Sequence, residues 1–202
     1  MPEYAQVVPA AILQWKQSNI MRDRHSAAGF TLIELLIVVA IIGIIAAIAV
    51  PGLLRARMSA NESGAIASLR VINNAQQAYY SSCGNGFYAG TLPILGDAPP
   101  AGTPFISPDL SAAVSVDKSG YRTTMVRGAE ATGATLDGCN PAGVAAALFS
   151  SFYTSNTPLV PGLTGVRFFW SNTLGTIYAA NTDVFGGETQ GNGPATVGTP
   201  IQ

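Results

Sequence analysis

The sequence predicts an α+β fold, with one long N-terminal helix packed against an antiparallel β-sheet. Three features predict it. An unbroken apolar run, Leu35 to Val50, leads directly into a segment with helical periodicity. Short alternating segments rich in aromatic and β-branched residues begin near residue 120. A Pro- and Gly-rich stretch separates the two. The 202 residues suffice for one medium domain with extensions.

The chain opens with "MPEYAQVVPAAILQWKQSNI", which has two prolines and no basic start. Met21 then begins "MRDRHSAAG", a short net-basic segment ending at Gly29. Translation is expected to start at Met21; the alternative is a genuine 29-residue leader.

Phe30 to Leu54 follows, 25 residues interrupted only by Thr31, Glu34 and Pro51. As helix it would be about 37 Å long, enough to span a bilayer core. Arg22, Arg24 and His25 precede it and Arg55 and Arg57 follow it. With basic charge on both sides, the positive-inside rule does not orient the span. One reading is a signal peptide, since Ala47–Ala49 has the small-x-small pattern of a cleavage site and would free a chain starting at Val50. Another is an ordinary anchor. Neither accounts for Glu34, because an ionisable group inside an apolar span marks function.

"GFTLIELLIVVAIIGIIAAIAVP" resembles the N-terminus of type IV prepilins and of type II secretion pseudopilins. The resemblance implies cleavage after Gly29 by a membrane prepilin peptidase and N-methylation of the new N-terminus, Phe30. It implies that Glu34, fifth from that end, takes part in assembly, and that Pro51 is the family's helix-kinking proline. The implied product is a structural subunit of a type IV pilus, a helical homopolymer of identical subunits built at an inner-membrane assembly platform. The implied location is the bacterial inner membrane, single-pass, before assembly, and then an extracellular pilus or a periplasmic pseudopilus. The alternative is a type II secretion pseudopilin. Major pseudopilins carry an Asp-Pro-Trp-Gly-like segment and an acidic calcium loop near the C-terminus, and this chain has neither. Its late acids are Asp183 and Glu188. The physics agrees with the implied role: cleavage creates a cationic amine at Phe30, one helical turn from Glu34. A carboxylate in a membrane needs such a partner, in its own chain or in a neighbour.

Beyond Pro51, apolar residues recur at Met58, Ala65, Ile66, Leu69, Ile72, Ala75 and Tyr79. Spacings of three and four make this an amphipathic continuation, so one helix is expected from Phe30 to about Tyr80. Tyr79 and Tyr80 read as packing residues. "CGNG" then ends the helix. Residues 90–117 read as a long irregular connection with a short helix at Pro108–Ala113, and Asp97 and Asp109 read as turn residues. Strands are expected in Gly120–Gly128, in Ala147–Ser155, and in a hairpin of Val166–Ser171 and Thr176–Ala180 turning at Asn172–Gly175. Phe152, Phe168, Trp170 and Ile177, or their alternates, are expected to face the helix. Residues 185–202 read as a tail over the surface. The domains are thus a leader, 1–29; a transmembrane and assembly helix, 30–54; and a globular head, 55–202, which includes the rest of the helix.

Composition narrows the function classes. Only 10% of residues are charged and the formal net charge is −1. The seven Lys and Arg beyond residue 29 are scattered singly, so no specific nucleic-acid partner is expected. The one histidine, His25, lies upstream of the apolar run. The rest of the chain lacks the usual general base and the usual zinc or copper ligand, so neither an enzyme nor a cofactor nor a metal site is expected. A periplasmic binding module on an uncleaved anchor is the remaining non-filament reading. Cys83 and Cys139 are the only cysteines. In an oxidising compartment an even count invites a disulfide, here closing a loop of roughly 57 residues. The other reading is two unrelated buried thiols.

Overall fold

The computed structural model describes residues 29–128, 131–183 and 198–201, and the chain divides between Ile45 and Ala46 into two units. All of the expected leader but Gly29, including Met21, lies outside the described residues, as does most of the expected tail.

Helix α1 spans Leu32–Ser82 and contains Pro51 without ending there. Every side chain from Phe30 to Leu54 is exposed, and among the described residues this is the one helix long and apolar enough to cross a membrane. Further on, the helix becomes one-sided. Ala65, Leu69, Ile72, Ala75 and Tyr79 are buried, which is the three- and four-residue stripe the sequence carries. Met58 and Ile66 on the same stripe are half-buried. The helix stops where Asn85 and Gly86 take the left-handed conformation and the Gly84 N–H donates to the Tyr79 carbonyl.

The segment after α1 is more regular than expected. It contains β1 (Tyr88–Ala89), α2 (Leu92–Gly96), α3 (Pro108–Ser111) and β2 (Ser115–Lys118). Strand β3 (Tyr121–Arg127) follows a turn with both Ser119 and Gly120 at positive φ. Two positive-φ residues match the right-handed twist of a hairpin, and this is what pairs β2 with β3. The strand expected at Ala147–Ser155 is in fact two. Leu148–Phe149 (β4) pairs with β1, and Phe152–Pro158 (β5) pairs with β3. The expected hairpin is β6 (Phe168–Asn172) and β7 (Ile177–Ala180), turning where Gly175 sits at φ 77°. Thr199–Pro200 forms β8 on the edge of β7, so the described end of the tail is a strand. The main sheet runs β2-β3-β5-β6-β7-β8, antiparallel throughout.

The register decides which residues meet the helix. Tyr121, Phe169, Ile177 and Ala179 pack with Ala65 and Leu69 of α1. Met125 and Phe152 join Ile72, Ala75 and Tyr79 in a larger cluster with β1, α2 and α3. Phe152 and Ile177 therefore face the helix as expected, whereas Phe168 and Trp170 do not. Strand periodicity makes their alternate, Phe169, the inward residue. Trp170 stacks on Tyr178 beside Tyr153, on the opposite face of the sheet.

Polar groups also cross the helix–sheet interface. Asn73 donates to Ser171 Oγ at 2.8 Å, and Asn156 donates to the Ala65 carbonyl at 2.7 Å. Gln76 exchanges two bonds with the Ala89 backbone. Paired in this way, buried amides fix the register of strand against helix where apolar contact alone would let it slide.

Candidate functional site

The N-terminus of α1 is built from four residues close together in the chain, Gly29, Phe30, Thr31 and Glu34. Gly29 and Phe30 lie outside the helix; Phe30 is 85% exposed and no side chain approaches Gly29 within 4 Å. Thr31 caps the helix. Its Oγ1 accepts the Glu34 N–H at 3.2 Å, while the Glu34 carboxylate accepts the Thr31 N–H at 2.9 Å. The Thr31 hydroxyl donates to the same Glu34 oxygen at 2.8 Å. This reciprocal pairing is a capping box, which satisfies donors that the first helical turn cannot satisfy internally. The signature "TLIE" stands in the sequence, and reading Glu34 only as an assembly residue overlooks it.

Both Thr31 donors go to Oε2, and no described residue donates to Oε1. The carboxylate therefore has one engaged oxygen and one open to a further donor. The Gly29–Phe30 peptide bond lies outside the helix and is exposed. The site can thus hold a cation against an otherwise apolar surface.

A second carboxylate on the same helix is fully engaged. Glu62 Oε1 accepts the N–H groups of Val166 and Arg167 at 3.0 and 3.2 Å. Its Oε2 accepts the Arg167 guanidinium at 2.9 and 2.7 Å. Burial works against the charge, but the donors of Val166 and Arg167 outweigh it and hold the carboxyl below its ordinary range. Asn61 beside it donates to the Thr164 carbonyl. These two residues tie α1 to the β5–β6 loop, and neither stands out in the sequence, because an isolated Glu–Arg pair over a hundred residues apart leaves no local pattern.

The cysteines are joined: Cys83, just past α1, is bonded to Cys139. Asn140 next to the bridge is an interior hub. It donates to the carbonyls of Ile94 and Asp97 and accepts from the Tyr79 hydroxyl at 3.0 Å. Burial, with the Asp97 charge nearby, pushes the Tyr79 phenol up to about 12. Asp97 also accepts the Ala142 N–H, and Asp109 pairs with Lys118, so both expected turn acids are held by protein donors. Among the described residues no three of His, Cys, Asp and Glu come together as a metal site.

A family model described as the prokaryotic N-terminal methylation motif matches residues 24–50. The chain is 43% identical over 63 residues to the type IV major pilin protein PilA of Myxococcus xanthus, covering 31% of this chain and 29% of that protein. It is 52% identical over 55 residues to the type IV wide pilus major component PilA4 of Thermus thermophilus, covering 27% of this chain and 42% of the relative. The matches thus span less than half the length of these relatives. No solved structure matches the chain significantly.

Proposed function

From an N-terminal segment that matches the prokaryotic N-terminal methylation motif, and from the chain's similarity to two type IV pilus components, we propose that the mature chain is a structural subunit of a type IV pilus. A prepilin peptidase cuts between Gly29 and Phe30, and the new amine of Phe30 is methylated. The precursor stands in the bacterial inner membrane through Phe30–Leu54, and an assembly platform then moves it into a filament of identical subunits. Pro51 lacks an N–H and so leaves the Ala47 carbonyl free, which lets the helix bend as subunits bundle.

The observation that carries this reading is Glu34. It is the one charged side chain in the exposed apolar segment Phe30–Leu54, one turn from the amine that cleavage would create. In a neighbour-rich, water-poor filament core a carboxylate–ammonium contact is strong and directional, whereas apolar contact is neither. The contact sets the axial register of the incoming subunit, and the apolar surface then supplies affinity. The capping box keeps one carboxylate oxygen busy and the side chain oriented, so the open oxygen is presented in one direction.

The test is intact-mass and N-terminal peptide analysis of protein sheared from cells. The expected species begins with N-methyl-Phe30 and is lighter than its reduced form by two hydrogens, from the Cys83–Cys139 bridge. A chain starting at Val50 would make the apolar segment a discarded signal peptide and remove Glu34 from the mature protein.

A further inference from the structure

The β5–β6 loop, Leu159 to Arg167, exposes four aliphatic side chains within eight residues: Leu159, Val160, Leu163 and Val166, each between 41 and 58% exposed. No residue from Thr157 to Val166 is charged. The loop is turned back on itself, with the Gly162 N–H donating to the Gly165 carbonyl and the Leu163 N–H to the Val160 carbonyl, so these side chains gather on one short turn, and gathered exposed apolar side chains mark an interaction site.

Its place on the domain can be read from contacts with α1. Phe152, at the start of β5, packs with Ile72 and Tyr79. Asn156, near the end of the strand, reaches the Ala65 carbonyl. The loop that follows is tied to Asn61 and Glu62 through Thr164, Val166 and Arg167. Strand β5 therefore descends toward the N-terminal side of the helix, and the loop forms the lower end of the head. The clamp by Asn61 and Glu62 holds it there rigidly.

Two apolar media lie near this end of the head, the bilayer and the apolar part of another subunit. Distance decides between them. The apolar run ends at Leu54, and the clamp lies seven residues further along, about 10 Å at 1.5 Å per residue. The headgroup layer beyond the hydrocarbon core is about 5–7 Å thick on each side. With the core edge at Leu54, the loop's anchor already stands beyond the headgroups. From Leu159 to Val166 there is no Trp, Tyr, Lys or Arg of the kind that anchors protein at a bilayer interface, and the Arg167 that follows is bound to Glu62. What matches the loop is the chain's own α1, exposed from Phe30 to Leu54 and charged only at Glu34.

We propose that this loop is an apolar foot that packs on the exposed apolar part of α1 of a second copy of the chain. The proposal rests on the pilus reading. In a filament whose subunits are displaced along the axis, the foot of one head meets the helix of another, and it covers helix surface that has left the lipid. It adds a second contact to the Glu34 contact, made by the head instead of by the helix terminus.

The test places a photocrosslinking benzophenone amino acid at position 163, in place of leucine, in the full chain in its own host. Filaments are sheared, irradiated and mapped by mass spectrometry. Crosslinks from position 163 to residues 30–54 of a second copy support the foot. Crosslinks only to phospholipid, or only to other parts of the neighbour, overturn it. In parallel, Leu163→Asp should lower the ratio of filament to membrane precursor by about tenfold or more, as expected for a charge forced into an apolar contact. Leu136→Asp, at another exposed leucine, should not. The disulfide-bonded precursor in the membrane fraction reports folding of each variant, and wild-type filaments with undiminished Leu163→Asp assembly would also overturn the proposal. A wild-type chain that forms no filament would instead overturn the pilus reading beneath it.

Discussion

Replacing Glu62 by alanine removes four hydrogen bonds at once, two from backbone N–H groups and two from the Arg167 guanidinium. The Glu62 side chain is nearly buried at 11% exposure, but that of Arg167 is 45% exposed. Breaking a fully buried pair costs about 3–5 kcal/mol, because the surviving charge is stranded. Here the guanidinium can return to water and keep its place over the Phe169 ring. The loss is then nearer to one or two charge-assisted bonds, about 2–3 kcal/mol. For a chain of this size that lowers Tm by about 5–10 °C. Glu62→Gln should lose about half as much, since its carbonyl still accepts the backbone donors while its amide faces the guanidinium. The assay is thermal unfolding of the full chain in detergent, with the disulfide intact. A Glu62→Ala protein within about 2 °C of wild type would refute the clamp as the anchor of the β5–β6 loop.

The same carboxylate gives the head an acid limb. Its folded pKa lies below its unfolded value of about 4.3, so its contribution is complete above that value and is lost as pH falls through the lower folded one. Asp109 and Asp117, held low by the hydrogen bonds of Lys118 and Arg122, add to the limb. The urea midpoint of wild type should therefore fall as pH drops below about 5 more steeply than that of Glu62→Gln, and parallel curves would contradict this. Replacing both Cys83 and Cys139 by serine should cost about 4 kcal/mol from releasing a loop whose ends are 56 residues apart in sequence, read as a fall in Tm beyond about 10 °C. Gly165→Ala should destabilise the head by about 1–3 kcal/mol, because an added methyl would meet the Tyr121 hydroxyl, which donates to the Arg167 carbonyl. An unchanged urea midpoint would show that the loop can give way.

What is legible in the sequence is legible for local reasons. The apolar run and the stripe from Ala65 to Tyr79 repeat at helical spacing, so α1 is readable to within two residues at each end. The Asn172–Gly175 turn announces the β6–β7 hairpin. Strand β2 escapes a sequence reading because its four residues, "SVDK", sit beside a Pro-rich stretch and turn through Ser119–Gly120, a weaker signal than Asn-Gly. The break between β4 and β5 escapes it because "LFSSFYTS" carries no Gly or Pro to divide it; only pairing with two different partners does so. The inward choice of Phe169 over Phe168 is a one-residue matter of register, fixed by the tertiary bonds of Asn73 and Asn156 and not by composition. At the candidate site, Gly29, Phe30 and Glu34 stand out through their resemblance to a family motif. The cap by Thr31 is open to view in "TLIE". The Glu62–Arg167 clamp joins residues 105 apart and has no local signature.

Glu34 has two roles to separate, the cap and the charge. A glutamine keeps a capping box, whereas an alanine at Thr31 breaks it. If Glu34 serves assembly through its charge, Glu34→Gln should enter the membrane and be cut at Gly29 but yield essentially no filament. Thr31→Ala should cost only about 1 kcal/mol of helix stability and reduce filament yield no more than severalfold. The measurement is sheared-filament yield relative to membrane precursor for these two variants, side by side. Absent filaments from Glu34→Gln with assembly retained in Thr31→Ala is the expected result. Normal filaments from Glu34→Gln would show that the carboxylate only caps the helix, and would contradict its role as the key to assembly.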